Sequence, residues 1–244
     1  MFLPYLENVV SITGGQAASV IRSAQAIAMS IVVFKLGGSL LELPNLGIRV
    51  SHLLRFYQQS YRPVSLQPLI VVGGGRITDV IRDWDRVHHL GDVTAHELAM
   101  STLSMNEAFV THVVDYASRA CIRIEVEAAW REGKIPILHT AEFIATEEKS
   151  ASIAPLPKNW DVTSDSLAAW VAATWPADRL VLLKSTELPR EISLAECVRD
   201  ELVDRYFPVL MPVLPRVDWV NLRGALPVTE PEYASSDFQT HWTS

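Results

Sequence analysis

Two apolar runs, each closed by glycines, constrain this chain more than anything else in it. Ile31-Val32-Val33-Phe34 runs into Lys35-Leu36-Gly37-Gly38-Ser39, and Pro68-Leu69-Ile70-Val71-Val72 runs into Gly73-Gly74-Gly75. Continuous β-branched runs without polar alternation suit strands buried on both faces, the condition of a parallel sheet. Glycine after such a strand lets the chain turn tightly and lets a ligand approach the backbone. In open α/β sheets, ligands bind beyond the carboxyl ends of the strands, where helix N-termini hold anions. The chain has 11 glycines and five lie in these two turns. The pair therefore predicts a two-part anionic ligand, or two ligands side by side.

The rest of the chain alternates in the same way. The pattern predicts helices over 44–59, 76–87, 94–118, 124–131, 164–174 and 194–202, with further strands over 135–138, 179–183 and 217–220. Pro44 suits a first helical turn. In the long helix, Leu98, Thr102, Met105, Phe109, Val113 and Tyr116 recur every three or four residues and predict one buried face. Residues 140–158 are mixed, with Pro155 and Pro157 marking a loop. Strands alternating with helices give an α/β fold around a mainly parallel sheet. Residues 1–30 hold Gly14-Gly15 and a small-residue run but no motif. They are expected to form an N-terminal extension, with one domain from 31 to 244.

Charge and composition exclude several classes. Hydrophobic residues make up 49% and charged residues 20%, an ordinary globular mix. A net charge of −7 and a pI near 5.5 argue against nucleic acid as a partner. The longest uncharged stretch, residues 8–21, falls short of the roughly 20 apolar residues that span a membrane. The first ten residues carry Glu7 and no Lys or Arg, which is wrong for a secretory signal. A cytoplasmic protein is expected. Cys121 and Cys197 stand far apart with no CxxC partner, which excludes a disulfide framework and a thiol zinc site.

The chemistry must then come from charge at the strand ends. No GxxxxGK followed by Ser or Thr occurs, and Gly73–Thr78 lacks the last glycine of the dinucleotide fingerprint. Two of the five lysines, Lys35 and Lys184, close apolar runs. A lysine there meets a large desolvation cost unless it faces an anion. Asp165 lies near a helix start among Thr163, Ser164 and Ser166, where it either caps the helix or positions lysines and a magnesium ion at a phosphate. His88, His89 and His96 lack zinc-protease spacing and fit a surface or interhelical role. No nucleophilic serine motif of the form GxSxG is present, and no metal-ligand set is expected.

Taken in order, Lys35-Leu36-Gly37-Gly38-Ser39, Gly73-Gly74-Gly75, Thr163 to Ala169 and Leu182-Leu183-Lys184-Ser185-Thr186 resemble the motifs of the amino acid kinase superfamily. The resemblance implies a three-layer αβα sandwich, ATP with Mg²⁺, a small phosphorylated metabolite as acceptor, and a homodimer or larger assembly. Within the superfamily the chain is most similar to the kinases that phosphorylate an aminomethylfuran phosphate in methanofuran biosynthesis, part of C1-carrier metabolism. That likeness rests on Val80 to Asp85, Ala95 to Met100, Trp160 to Ser166, Asp204, Phe207 to Leu210, Asn221 and Gly224.

By the resemblance, Lys35 contacts the transferring phosphoryl group and Asp165 orients Lys35 and the metal-phosphate. Gly37, Gly38, Ser39, Lys184, Ser185 and Thr186 would hold ATP. Gly73, Gly74, Gly75, Arg82, Asp85, Thr163 and Ser164 would hold the acceptor, with Asp83 or Asp85 meeting its amine. Two departures stand out. Thr186-Glu187 replaces the Asp-Gly pair many members carry, and no lysine occurs between 203 and 216, where many members place a second one. Three readings follow: a kinase of a phosphorylated aminofuran, a uridylate kinase-like enzyme suggested by Lys184-Ser185-Thr186, and a non-catalytic partner subunit that kept the fold.

Overall fold

The computed structural model describes residues 29–225. Its centre is a six-stranded sheet in the order β3-β4-β2-β1-β5-β6, and every neighbouring pair is parallel. The strands are β1 (Met29–Leu36), β2 (Ser65–Val72), β3 (Ala117–Ala120), β4 (Ile135–Leu138), β5 (Arg179–Lys184) and β6 (Arg216–Asn221). Eight helices connect them: α1 (Leu46–Ser60), α2 (Gly75–His88), α3 (Asp92–Val113), α4 (Arg123–Arg131), α5 (Thr140–Glu147), α6 (Ser164–Thr174), α7 (Leu194–Arg199) and α8 (Phe207–Leu210).

The apolar runs become central strands because both faces are covered. Val33, Leu69, Val71, Leu180 and Leu182 pack with α6, whose Leu167 to Ala172 is buried all round. Val32, Phe34, Ile70, Val72, Val181 and Leu183 point the other way, into Val50, Leu53 and Tyr57 of α1 and Val110 of α3. Alternate residues along one strand thus build two cores, as the strand period of two requires. Asp178 ties the start of β1, accepting from Ser30 Oγ (2.8 Å) and the Ile31 amide (2.9 Å). Tyr57, Arg179, Arg216 and the buried Asp218 form a charged cluster at the amino ends of β5 and β6.

Several sequence expectations need correction. The extension lies outside the described residues up to 28, but Met29 and Ser30 already belong to β1. Pro44 precedes α1, which starts after Asn45 in the left-handed region. The long helix stops at Val113 because Val114 is extended and Tyr116 has φ of 60°; β3 follows. Its buried face is Ala95, Thr102, Leu103, Asn106, Glu107 and Val110, while Met105 and Phe109 face solvent. Polar residues on that face answer to polar backbone beneath it. Residues 140–147 are a helix whose first turn is capped by His139. The helix from 194 ends at Arg199. No helix among the described residues is long and apolar enough to cross a membrane.

Candidate active site

The two glycine turns meet each other at the carboxyl edge of the sheet. A Cβ on Gly38 would sit 2.0 Å from the Gly75 amide nitrogen, and Gly75 itself has φ of 55°. Neither position admits a side chain. Gly37 and Gly73 sit behind them, their amides donating to Leu183 O (2.9 Å) and Leu36 O (2.8 Å). These two therefore brace the turns rather than offer amides to a ligand. The buried Asn106 reaches up from α3 and donates to the carbonyls of Gly73 (2.9 Å) and Gly74 (2.7 Å).

Beside the turns lies a cavity of about 360 Å³. Lys35, Gly38, Ser39, Gly74, Gly75, Arg82, Thr163 and Ser164 line it, together with Arg76, His96 and Trp160. Behind Lys35 sits a buried ion trio. Asp165 Oδ1 is 2.9 Å from Lys35 Nζ and 2.8 Å from Lys184 Nζ, and Lys184 also donates to the Leu202 carbonyl (2.6 Å). Burial pushes the Asp165 carboxyl up, but Lys184 and Lys35 outweigh it and bring the group to about 2. Burial lowers Lys184 to about 8, against the pull of Asp165. Lys184, at the end of β5, thus supplies a second ammonium to the same aspartate.

Asp204 holds this trio's helix in place. Its carboxylate accepts from the Thr163 amide (2.8 Å), Thr163 Oγ1 (2.9 Å), the Ser166 amide (2.9 Å) and Ser166 Oγ (2.5 Å). It also accepts from the amides of Tyr206 and Phe207. It therefore satisfies orphan donors at the start of α6 from across the fold. Burial, then the nearby Asp165 charge, raises its carboxyl.

Not every expected residue reaches the cavity. Asp85 does not line it: one oxygen accepts from Trp160 Nε1 (2.8 Å) and the other from the Gly91 amide (3.2 Å). Asp83 pairs with Arg86 on the exposed side of α2. The carboxylates on the cavity wall are Asp79, paired with Arg82 at 2.8 Å, and Glu201. Arg82 also lies over the Trp160 ring, 5.0 Å from its centroid. Ser185 and Thr186 sit on the far side of Ser39, where Ser39 Oγ donates to Ser185 Oγ (3.0 Å) and Trp219 Nε1 donates to Thr186 O (2.9 Å). His96, read as a surface or interhelical residue, lines the cavity, and burial followed by Lys158 lowers its pKa. The segment Ala95 to Met100 enters only as part of the family likeness, with no site role given to His96.

Against known proteins, the family model described as the amino acid kinase family matches residues 30–187. A search of curated proteins finds no match. Among solved structures, the chain is similar to UMP kinase from Bacillus anthracis, with TM-score 0.53, 15% identity, and 81% of this chain covering 89% of that one. It is similar to aspartate kinase from Synechocystis, with TM-score 0.51, 14% identity, and 77% of this chain covering 37% of that one. It is also similar to uridylate kinase from Archaeoglobus fulgidus, with TM-score 0.50, 14% identity, and coverage of 78% and 89%. At these identities the likeness is one of fold.

Proposed function

The chain belongs to the amino acid kinase family, and from that premise we propose that it transfers the γ-phosphoryl group of ATP to an aminomethylfuran phosphate, forming a diphosphate. The supporting observation is the cationic character of the cavity. Lys35, Arg76 and Arg82 line it, and Asp79, one of its two carboxylates, is already paired with Arg82. A hydroxyl acceptor needs a base beside it. An ionised phosphate needs none, and guanidinium groups bind it strongly.

Phosphoryl transfer asks mainly for positioning and charge neutralisation. Lys35 neutralises charge on the group in flight, and Asp165 fixes the direction of its ammonium. Gly38 and Gly75 keep the passage between donor and acceptor free of side chains. Ser39, Lys184 and Ser185 face the nucleotide side. Lys35 and Lys184 both contact the Asp165 carboxylate, so Mg²⁺ would be held by the nucleotide phosphates and would screen their charge there. Trp160 gives the furan a flat wall, and Asp79 or Glu201, in place of Asp83 or Asp85, meets its amine. Self-association belongs to the same reading: α2 exposes Ile77, Val80, Trp84 and Val87 along one side, and a second copy is the expected cover.

Phosphorus NMR of the product tests the reaction. Two coupled resonances of a diphosphate from the furan phosphate, with none from the dephosphorylated alcohol, are expected. Transfer to UMP with no transfer to the furan would replace this reading with the uridylate kinase-like one. Absence of transfer to any phosphorylated acceptor would favour a non-catalytic subunit.

A further inference from the structure

The carboxyl edge of the sheet carries a second set of chemically active side chains, well away from Lys35 in strand order. Cys121 follows β3 and His139 follows β4. The two strand ends are locked in register, Ala120 beside Leu138, and the His139 amide donates to Ala120 O at 2.7 Å. Glu142 lies one turn into α5. The thiol, an imidazole nitrogen and a carboxylate oxygen of these three all lie within 4.8 Å of one another. Spacing along the chain had excluded a thiol zinc site because the cysteines lack a CxxC partner; the fold supplies histidine and carboxylate instead.

The surroundings add negative charge. Glu125 Oε2 accepts from the Cys121 amide at 2.7 Å. Glu107 is wholly buried beside His139: its Oε1 accepts from the Thr140 amide (3.0 Å), and its Oε2 has no hydrogen-bond partner. The cation facing this group is Arg119, whose Nη2 stays 3.9 Å from Glu107 Oε2. Three glutamates and a thiol thus gather beside one arginine and one histidine.

We propose that Cys121, His139 and Glu142 bind a zinc ion that clips β3, β4 and α5 together at the edge of the sheet. Sulfur, nitrogen and oxygen donors together suit zinc, and three protein ligands leave a fourth position for water. Metal bonds of about 2.0–2.3 Å put tetrahedral donors roughly 3.5 Å apart, so the three side chains need close only slightly. Binding releases the thiol proton to solvent. His139 Nδ1 accepts a long 3.3 Å bond from the Glu142 amide, and its lone pair leaves that bond when it ligates the metal. Glu107 and Glu125 supply the outer carboxylates that hold such sites.

The test uses the full chain, untagged and stripped with EDTA. Dialysis against zinc should leave about one equivalent bound, and cobalt should give a thiolate-to-metal charge-transfer band. Cys121→Ser should abolish that band and weaken zinc binding by about tenfold or more, while its circular dichroism stays unchanged. Glu142→Gln, which leaves the His139 cap in place, should weaken zinc binding without removing the band. Equal zinc binding by wild type and Cys121→Ser, cobalt bound without a sulfur band, or no retained zinc would each overturn the proposal.

Discussion

Strand β5 carries a buried ion trio at each end, and the two differ in kind. At its carboxyl end, Lys184 and Lys35 share Asp165; at its amino end, Arg179 and Arg216 share Asp218. Both aspartates are nearly or fully buried. In the arginine trio each guanidinium makes one contact to Asp218, Arg179 Nη1 to Oδ2 and Arg216 Nε to Oδ1, and Tyr57 completes it with a 3.3 Å hydrogen bond. The lysine trio opens through Lys35 onto a cavity walled by bare glycine backbone. Lysine is a compact charge that can turn toward a new anion, whereas the guanidinium is a larger planar group with its donors fixed in direction. A buried ion trio alone therefore marks architecture. It marks a candidate site when one of its cations faces a cavity.

The largest effect should come from breaking the lysine trio. Asp165→Asn leaves two buried ammonium groups without a counter-charge, and Lys35→Ala removes the charge facing the cavity. Each should lower turnover by about 10²–10³, measured by coupled ADP release. Asp165→Asn should also melt earlier, since breaking a buried pair costs about 3–5 kcal/mol. Asp218→Asn should separate the two trios. With Arg179 and Arg216 partly reaching solvent, the cost should be about 3 kcal/mol, or roughly 6–12 °C in melting temperature. Turnover per folded molecule should stay within about twofold. Loss of activity without loss of stability would erase the contrast.

A pH series sharpens the comparison further. Lys184 sits at about 8 in the fold against an ordinary 10.5. Between those values the unfolded chain binds the extra proton, so this group makes stability rise with pH. Activity should instead fall above pH 8 as the second ammonium is lost. Asp165 works at the other end: its stabilisation is present above 3.8 and is lost as pH falls toward 2. Initial rates and thermal melts on the same samples would show the two curves diverging above pH 8; parallel curves would place Lys184 outside the reaction. The smallest structural effect belongs to Arg76, an exposed cation paired with Glu42. Arg76→Ala should change stability by less than about 1 kcal/mol yet raise the acceptor KM several-fold, as steady-state kinetics would reveal.

What the sequence could reveal follows from how local each signal is. The helix from Ser164 to Thr174 and strand β4 match their predicted bounds, because apolar runs and a capping cluster mark them locally. Lys35 and Lys184 stood out because a charge ending an apolar run needs a reason, and Asp165 because it sits in a capping cluster; the fold brings the three together. β3 was not, since Ala-Ser-Arg-Ala is a short edge strand without an apolar run. The buried face of α3 was misplaced because Asn106 and Glu107 bury against backbone groups supplied by Gly73, Gly74 and Thr140. No periodicity in one segment reports a partner in another. For the same reason Asp204 entered only as a matching residue, while its role in holding α6 became visible with its six donors.

The position of β1 between β2 and β5 also governs how the chain is made. On one side its register partners lie 36 residues on, Met29 beside Ser65; on the other they lie 147 residues on, Val32 beside Arg179. At about 5–20 residues per second of synthesis, roughly 7–30 s separate the synthesis of β1 from that of β5. Throughout that interval a strongly apolar strand offers an unpaired edge, a feature that recruits a second nascent chain. Lys35 waits equally long for Asp165. A newborn chain therefore needs its edge shielded on the ribosome, and catalytic competence arrives only with the last third of translation.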